Sequence, residues 1–144
     1  MIVIGSDHGG YELKNHIIKH LEEIGVGYRD MGCYSEDSVD YPDVAKKVCD
    51  IIAQGNAEKG ILVCGTGIGI SIAANKIKGI RAALCADVYS AKMCREHNAA
   101  NVLCLGGRVT GRELAFMIVD TYLATEFAGG RHSNRVNKIS ELEK

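Results

Sequence analysis

The chain has almost no net charge: 17 basic and 18 acidic side chains leave a formal −1 over 144 residues. Binding to long nucleic acid is disfavoured by that balance, because a phosphate backbone selects for a large positive surplus. No apolar run approaches the roughly 18 residues that a membrane-spanning helix needs. The start, Met1-Ile2-Val3-Ile4-Gly5, has neither the charged opening nor the longer apolar stretch of a secretory leader. A cytoplasmic protein with no membrane partner is therefore expected. There is no CxxC pair, since Cys33, Cys49, Cys64, Cys85, Cys94 and Cys104 stand 9 to 21 residues apart, which removes the usual zinc and dithiol patterns. Three disulfides are arithmetically available. Most of the six cysteines, however, sit inside apolar runs of a chain without an export signal, and free buried thiols are expected. Proline occurs once, at Pro42, and no repeat or low-complexity linker divides the chain.

What is present fits one domain covering residues 1–144: the hydrophobic fraction is 47% and the charged fraction 24%, ordinary for a globular chain long enough to bury one core. Short β-branched runs alternate with segments of helical period, the pattern of a parallel sheet wrapped by helices. Five strands are expected, at Met1 to Gly5, Val26 to Met31, Gly60 to Cys64, Ile80 to Cys85 and Asn101 to Leu105. Four of them are nearly all apolar, as strands buried on both faces should be. The second, with Tyr28, Arg29 and Asp30, belongs nearer an edge. Leu13, Ile17, Ile18, Leu21 and Ile24 recur at helical spacing, as do Val44, Val48, Ile51 and Ile52, and Leu114, Met117, Ile118 and Tyr122. These stripes read as core. Asp43 and Asp87 are expected to start helices, a further helix is expected near Gly9, and Gly25 and Gly55 are expected to stop them. After Gly129-Gly130 comes a basic final helix with Arg131, His132, Arg135 and Lys138.

Ligands of an open parallel sheet bind outside the carboxyl ends of the strands, and there the polar residues gather. Ser6-Asp7-His8-Gly9-Gly10 follows the first strand, Cys64-Gly65-Thr66-Gly67-Ile68-Gly69 ends the third, and Gly106-Gly107-Arg108 follows the fifth. Three glycines at alternate positions let main-chain N–H groups approach an anion. The spacing is not that of a dinucleotide or Walker loop, and a ligand-free tight turn remains the plain alternative. Cys64 precedes those donors, where the field of a helix start can hold a thiolate; the other five cysteines read as packing. Asp7 and His8 could hold a sugar phosphate or cap a helix. His97-Asn98, before the last strand, pairs a proton carrier with an amide. His16 and His20 are assigned to surface or packing. Arg131 and Arg135, four apart, share a helix face on which two guanidinium groups could grip one phosphate, or simply meet solvent.

Taken together, these segments resemble the ribose-5-phosphate isomerase B family, which includes galactose-6-phosphate isomerase subunits, over essentially the whole chain. Besides the three segments above, Asp40-Tyr41-Pro42, Ile70-Ser71, Ala73-Ala74-Asn75-Lys76, Arg95-Glu96-His97-Asn98 and Arg131-His132-x-x-Arg135 carry the likeness. The resemblance implies a Rossmann-like three-layer α/β/α sandwich with a five-stranded parallel sheet and a C-terminal helix. It further implies a homodimer or dimer of dimers with shared sites, and neither metal nor organic cofactor. Cys64 would be the proton-shuttling base and His97 the ring-opening acid, with Asp7 and Thr66 also catalytic. Gly65, Thr66, Gly67, Ile68 and Gly69 would bind the reacting end, Asp7 and His8 would contact the substrate, Asn98 its hydroxyls, and Arg108, Arg131 and Arg135 would take part in phosphate recognition. Some members carry a glutamate base where Ile70 stands, which leaves Cys64 as the evident base here.

The resemblance thus implies interconversion of ribose 5-phosphate and ribulose 5-phosphate, a step of the non-oxidative pentose phosphate pathway, through a cis-enediolate. Two alternatives stay open on the sequence: a six-carbon sugar phosphate such as allose or galactose 6-phosphate as substrate, and a non-catalytic sugar-phosphate sensor in which Cys64 merely packs.

Overall fold

A computed structural model describes all of residues 1–144, and in it the alternation of strand and helix becomes eleven elements. They are β1 (Ile2–Ser6), α1 (Tyr11–Glu23), β2 (Tyr28–Asp30), α2 (Tyr41–Ala53), β3 (Lys59–Cys64), α3 (Ile68–Ala74), β4 (Ala82–Leu84), α4 (Val88–Glu96), β5 (Val102–Gly106), α5 (Arg112–Ala124) and α6 (Arg131–Glu141). The strands form one sheet in the order β2-β1-β3-β5-β4, and every pairing is parallel. Register brings Ser6 beside Val63 and Cys64 beside Gly106.

Both faces of the sheet are covered, because alternate residues of each central strand point to opposite sides. Ile2, Ile4, Ile61, Val63, Leu103 and Leu105 pack on one side against Leu13, Ile17 and Leu21 of α1 and Ile118 and Tyr122 of α5. Val3, Leu62, Cys64, Val102 and Cys104 pack on the other against Val44, Val48 and Ile52 of α2 and Ile70 of α3. Each fully buried aliphatic side chain contributes about 1.5–3 kcal/mol, so these two layers supply the main driving force for the three-layer arrangement. All six cysteines are free and buried. No helix is long and apolar enough to cross a membrane.

The helix stops fall where expected. Gly25 and Gly55 take φ of +75° and +81°, and the residues after them close the Schellman pattern, Val26 donating to Leu21 O at 2.9 Å and Asn56 to Ile51 O at 3.0 Å. Asp87 starts α4 as expected, its side chain accepting from Ser90 N at 2.6 Å and from Ser90 Oγ at 2.9 Å. Those two donors, the main-chain one first, hold its carboxyl below the ordinary carboxylate range.

Four expectations are corrected. Helix α2 begins at Tyr41 after Asp40, not at Asp43, because Pro42 is preorganised for a first turn; Asp43 lies inside that turn, beside the positive end of the helix. Helix α1 begins at Tyr11 rather than near Gly9, with Asp7 Oδ1 accepting from Gly10 N at 3.1 Å just ahead of it. Strand β4 is three residues long and half exposed, with Leu84 41% accessible, since it forms the second edge of the sheet and has a neighbour only in β5. Ile24, Leu114 and Met117 are exposed at 46%, 39% and 57%: each lies at the margin of its helix's apolar stripe, beyond the reach of the sheet.

A buried lysine ties the connection after β2 to the rest. Lys14 is wholly inaccessible, paired with Asp30 Oδ1 at 2.8 Å and donating also to Cys33 O. Ser6 N donates to Gly32 O at 2.7 Å and Cys33 N to Ser6 O at 2.7 Å, so the same anchor fixes the end of β1, where Asp7 and His8 follow. Removing one partner of such a pair strands the other charge. Asp30→Ala should lower the unfolding free energy by roughly 2–3 kcal/mol, less than for a fully buried pair because Asp30 is partly exposed. Urea unfolding measures it, and adding Lys14→Met should restore part of the loss; a single Asp30→Ala variant as stable as the parent would contradict this account.

Candidate active site

Strand order reverses direction between β1 and β3: the chain leaves β1 for β2 on one side and later returns to β3 on the other. A crevice opens at such a point outside the carboxyl ends of the strands. Here it is bordered by Asp7-His8 after β1 and by Cys64-Gly65 at the end of β3.

Cys64 lies at the floor, 5% accessible, and its Sγ accepts from Gly67 N at 3.1 Å. Gly67 takes φ +81° at the start of α3; a Cβ there would be strained and would collide with Leu84 Cδ1 and lie 2.9 Å from the Leu105 carbonyl carbon. Thr66 Oγ1 accepts from Ile68 N at 3.1 Å, which leaves its own hydroxyl proton to donate. The N–H groups of Gly65 and Thr66 have no acceptor in the chain. Two unpaired main-chain donors thus sit beside a thiol whose orientation is set by a third.

The neighbouring loops close on this one. Gly107 N donates to Cys64 O at 2.8 Å and Arg108 N to Gly65 O at 2.9 Å. A Cβ on Gly9 would lie 3.1 Å from Gly65 N, so a side chain there would press the glycine loop back by a few tenths of an ångström. Asp7 is buried at 6%. His8 Nδ1 accepts from Val39 N at 3.2 Å, a bond that puts the proton of the neutral ring on Nε2, free to donate. A cleft of about 730 Å³ runs outward from here, lined by His8, Gly107, Arg108 and Arg112 among others. Tyr41 was given no role by the sequence. It lies across the loop from the far side: a Cβ on Gly69 would be 2.8 Å from its hydroxyl. The only hint in the sequence was its place in Asp40-Tyr41-Pro42.

The remaining candidates stand at the opposite end of the sheet. His97 caps the carboxyl end of α4, a helix running antiparallel to the strands, and so lies with Asn98 near the amino ends of β4 and β5. Arg81, just before β4, donates to Asn98 O at 3.1 Å and to Ala99 O at 2.9 Å. Ala128 N donates to Glu96 O at 3.0 Å, which brings the start of α6 to the same place, and the His132 ring stacks on His97 with centroids 4.3 Å apart. Arg131 and Arg135 flank that pair and are exposed. The length of β5 separates this group from Cys64, about 13 Å at ~3.3 Å per residue. One chain therefore gathers Cys64, Thr66, Asp7, His8 and Arg108 at one edge and His97, Asn98, Arg131 and Arg135 at the other. His20 is structural, as expected, stacked on Phe116 at 4.4 Å and bonded to Asp120 at 2.7 Å. No group of three or more His, Cys, Asp or Glu side chains is placed to hold a metal ion.

A family model described as Ribose/Galactose Isomerase matches residues 2–139. Ribose-5-phosphate isomerase B of Escherichia coli (strain K12) is 51% identical over 142 residues, covering 99% of this chain and 95% of that protein. Among solved structures, ribose-5-phosphate isomerase B of Clostridium thermocellum superposes with a TM-score of 0.97 at 56% identity, covering 99% of this chain and 96% of that one. The Thermotoga maritima counterpart gives 0.95 at 55% identity, covering 97% of each.

The six thiols are set apart by their surroundings. Burial, with Asp50 beside it, pushes the Cys49 thiol up to about 12, and burial also drives Cys104 well upward, helped by Cys49 and Cys64. Only Cys64 has its sulfur on an N–H of the glycine loop. Brief treatment of the native protein with iodoacetamide near pH 8, followed by peptide mass spectrometry, should modify Cys64 well before Cys49 or Cys104. Labelling of either buried thiol ahead of Cys64 would remove the distinction.

Proposed function

The chain belongs to the ribose/galactose isomerase family, and from that premise we propose that it interconverts ribose 5-phosphate and ribulose 5-phosphate, with Cys64 as the base that moves the proton between C2 and C1. The observation that carries the reading is the Cys64 sulfur held by Gly67 N at 3.1 Å beside the unpaired N–H groups of Gly65 and Thr66. Aldose–ketose isomerisation needs a base within reach of one carbon and donors aimed at the oxygen on which charge develops.

The substrate arrives as a ring, so an acid must protonate the ring oxygen while a base takes the proton of the anomeric hydroxyl. Asp7, a carboxylate in the loop after β1, takes that proton on this reading, and His97 is the remaining group of suitable chemistry. Because Cys64 and His97 of one chain occupy opposite edges of the sheet, the acid is His97 of the partner subunit in a homodimer, bringing with it Asn98, Arg131 and Arg135 of the partner subunit. Once the aldehyde is free, the Cys64 thiolate removes the C2 proton and delivers it to C1, while a hydroxyl proton passes from O2 to O1. Charge on the intermediate enediolate meets Gly65 N–H, Thr66 N–H and the Thr66 hydroxyl; donors so aimed lower such a barrier by several kcal/mol. Arg108 meets the phosphate from the Cys64 side and the partner subunit's Arg131 and Arg135 from the other, fixing the sugar by interactions remote from the reacting carbons.

Two measurements test this. Cys64→Ala should reduce turnover at least about 1,000-fold and abolish exchange of the C2 proton with solvent, while ligand affinity stays within a few fold. His97→Ala should also be inactive on ribose 5-phosphate. Mixing these two inactive proteins under conditions of subunit exchange should restore about a quarter of parental activity, because half of the dimers are hybrids and each hybrid carries one intact site. No recovery despite demonstrated exchange would sink the shared site.

The arginines make a separate prediction. Replacing Arg131 and Arg135 by alanine should raise KM for ribose 5-phosphate by roughly 100-fold, two charge-assisted contacts at about 1.5 kcal/mol each, with little effect on unphosphorylated ribose binding. Equal losses for both sugars would assign the pair to structure.

A further inference from the structure

His97 has an unusual setting for an acid. General acids and bases are commonly oriented by a third group, a carboxylate or carbonyl bonded to the far side of the ring. The chain offers no hydrogen-bond partner to either ring nitrogen of His97, and the contact that fixes its plane is the stack on His132, at 4.3 Å between centroids and 14° between planes. The main chain beneath it is firmly held: His97 N donates to Met93 O at 2.8 Å, Ala100 N to Cys94 O at 2.9 Å, and Arg81 clasps Ala99 O at 2.9 Å. The backbone is thus settled while the ring, half-exposed, has one flat neighbour to define its orientation.

We propose that His132 is a positioning residue for ring opening, its imidazole stacked on His97 so that the His97 ring is held in one plane with both nitrogens free for the sugar. The inference rests on the reading of His97 as the ring-opening acid. His132 suits the task for two reasons. It is the second residue of α6, whose start is pinned to α4 by Ala128 N on Glu96 O, so the ring arrives from a separate, anchored element. Its own protonation is also disfavoured, by burial first and then by His97, Arg131 and Arg135, with Glu96 acting weakly in the opposite sense. The stack therefore adds little positive charge beside Arg131 and Arg135. The same first turn carries Arg131, and Arg135 follows three residues after His132, so the element that would hold the phosphate also aims the acid.

The test separates orientation from proton transfer. His132→Ala, His132→Phe and His97→Ala are compared in the full-length protein by kcat and KM on ribose 5-phosphate, and by deuterium incorporation from solvent at C1 of ribulose 5-phosphate. That ketose cannot close a five-membered ring, because its 5-hydroxyl is esterified, so the exchange bypasses ring opening. His132→Ala should lower kcat on ribose 5-phosphate about 10-fold, part of the 10²–10⁴ that a positioned acid contributes, with KM nearly constant. His132→Phe, which keeps a flat stacking surface, should recover most of that loss. Exchange at C1 should remain within a few fold of the parent in both. Phenylalanine performing as poorly as alanine, or exchange falling in step with turnover, overturns the proposal. A parental kcat in His132→Ala, with His97→Ala impaired, overturns it while leaving the acid in place; parental turnover in His97→Ala instead removes the reading on which it rests.

Discussion

A parallel sheet has two chemically different edges, and the length of its strands keeps them apart. Everything in this protein follows from which groups fall on which edge. Strands of three to six residues set the spacing, and no side chain on one edge can reach across it. The carboxyl edge holds the thiol, the unpaired loop donors, Asp7, His8 and Arg108. At the amino edge are the stacked His97 and His132, Asn98 and the two tail arginines. A chemistry that needs both sets must bring two copies together in opposite orientation, and that requirement comes from strand geometry rather than from any feature of an interface. The same polarity explains why Cys64, at the end of a strand, and His97, at the end of a helix, lie at opposite ends of one molecule.

Close approach of main chain to main chain shapes the carboxyl edge. A Cβ on Gly106 would lie 2.6 Å from Thr66 O, and one on Gly107 would lie 2.8 Å from Gly9 O. Side chains at these positions would force the three loops apart. Gly67 adds conformation to closeness, since its positive φ is one that a residue with a side chain rarely adopts. The site is therefore built from backbone, with few side chains, which suits a reaction whose charge develops on a small oxygen and asks for donors that need not move.

Much of this was legible in the sequence because the signals were local. Strand and helix order followed from the change of period, the Gly25 and Gly55 stops from the need for a left-handed residue, and the place of Cys64 from the rule that ligands gather after strands. Two classes of feature were not legible. The shortness and exposure of β4 depend on sheet order, which local pattern does not encode; Ala82-Ala83-Leu84 reads the same at an edge as in the middle. The separation of His97 from Cys64, and the lie of Tyr41 over Gly69, arise from where helices end in space. A list of chemically apt residues gives no sign that half of them face the other way.

The basic tail illustrates how the two levels combine. In sequence, Arg131-His132-x-x-Arg135 is a charged helix face with a histidine in it, and a solvated surface explains it as well as a phosphate grip does. In space, α6 begins against the end of α4, and its histidine meets the histidine that caps that helix. A solvated face would not need that contact, nor the two left-handed glycines, Gly129 and Gly130, that turn the chain into it. The first turn of α6 thus carries Arg131 and sets His132 against His97, with Arg135 following one turn on. On the proposed reading, binding at the remote phosphate and geometry at the acid are mechanically the same event, which is how binding energy far from a reaction comes to be expressed at its transition state.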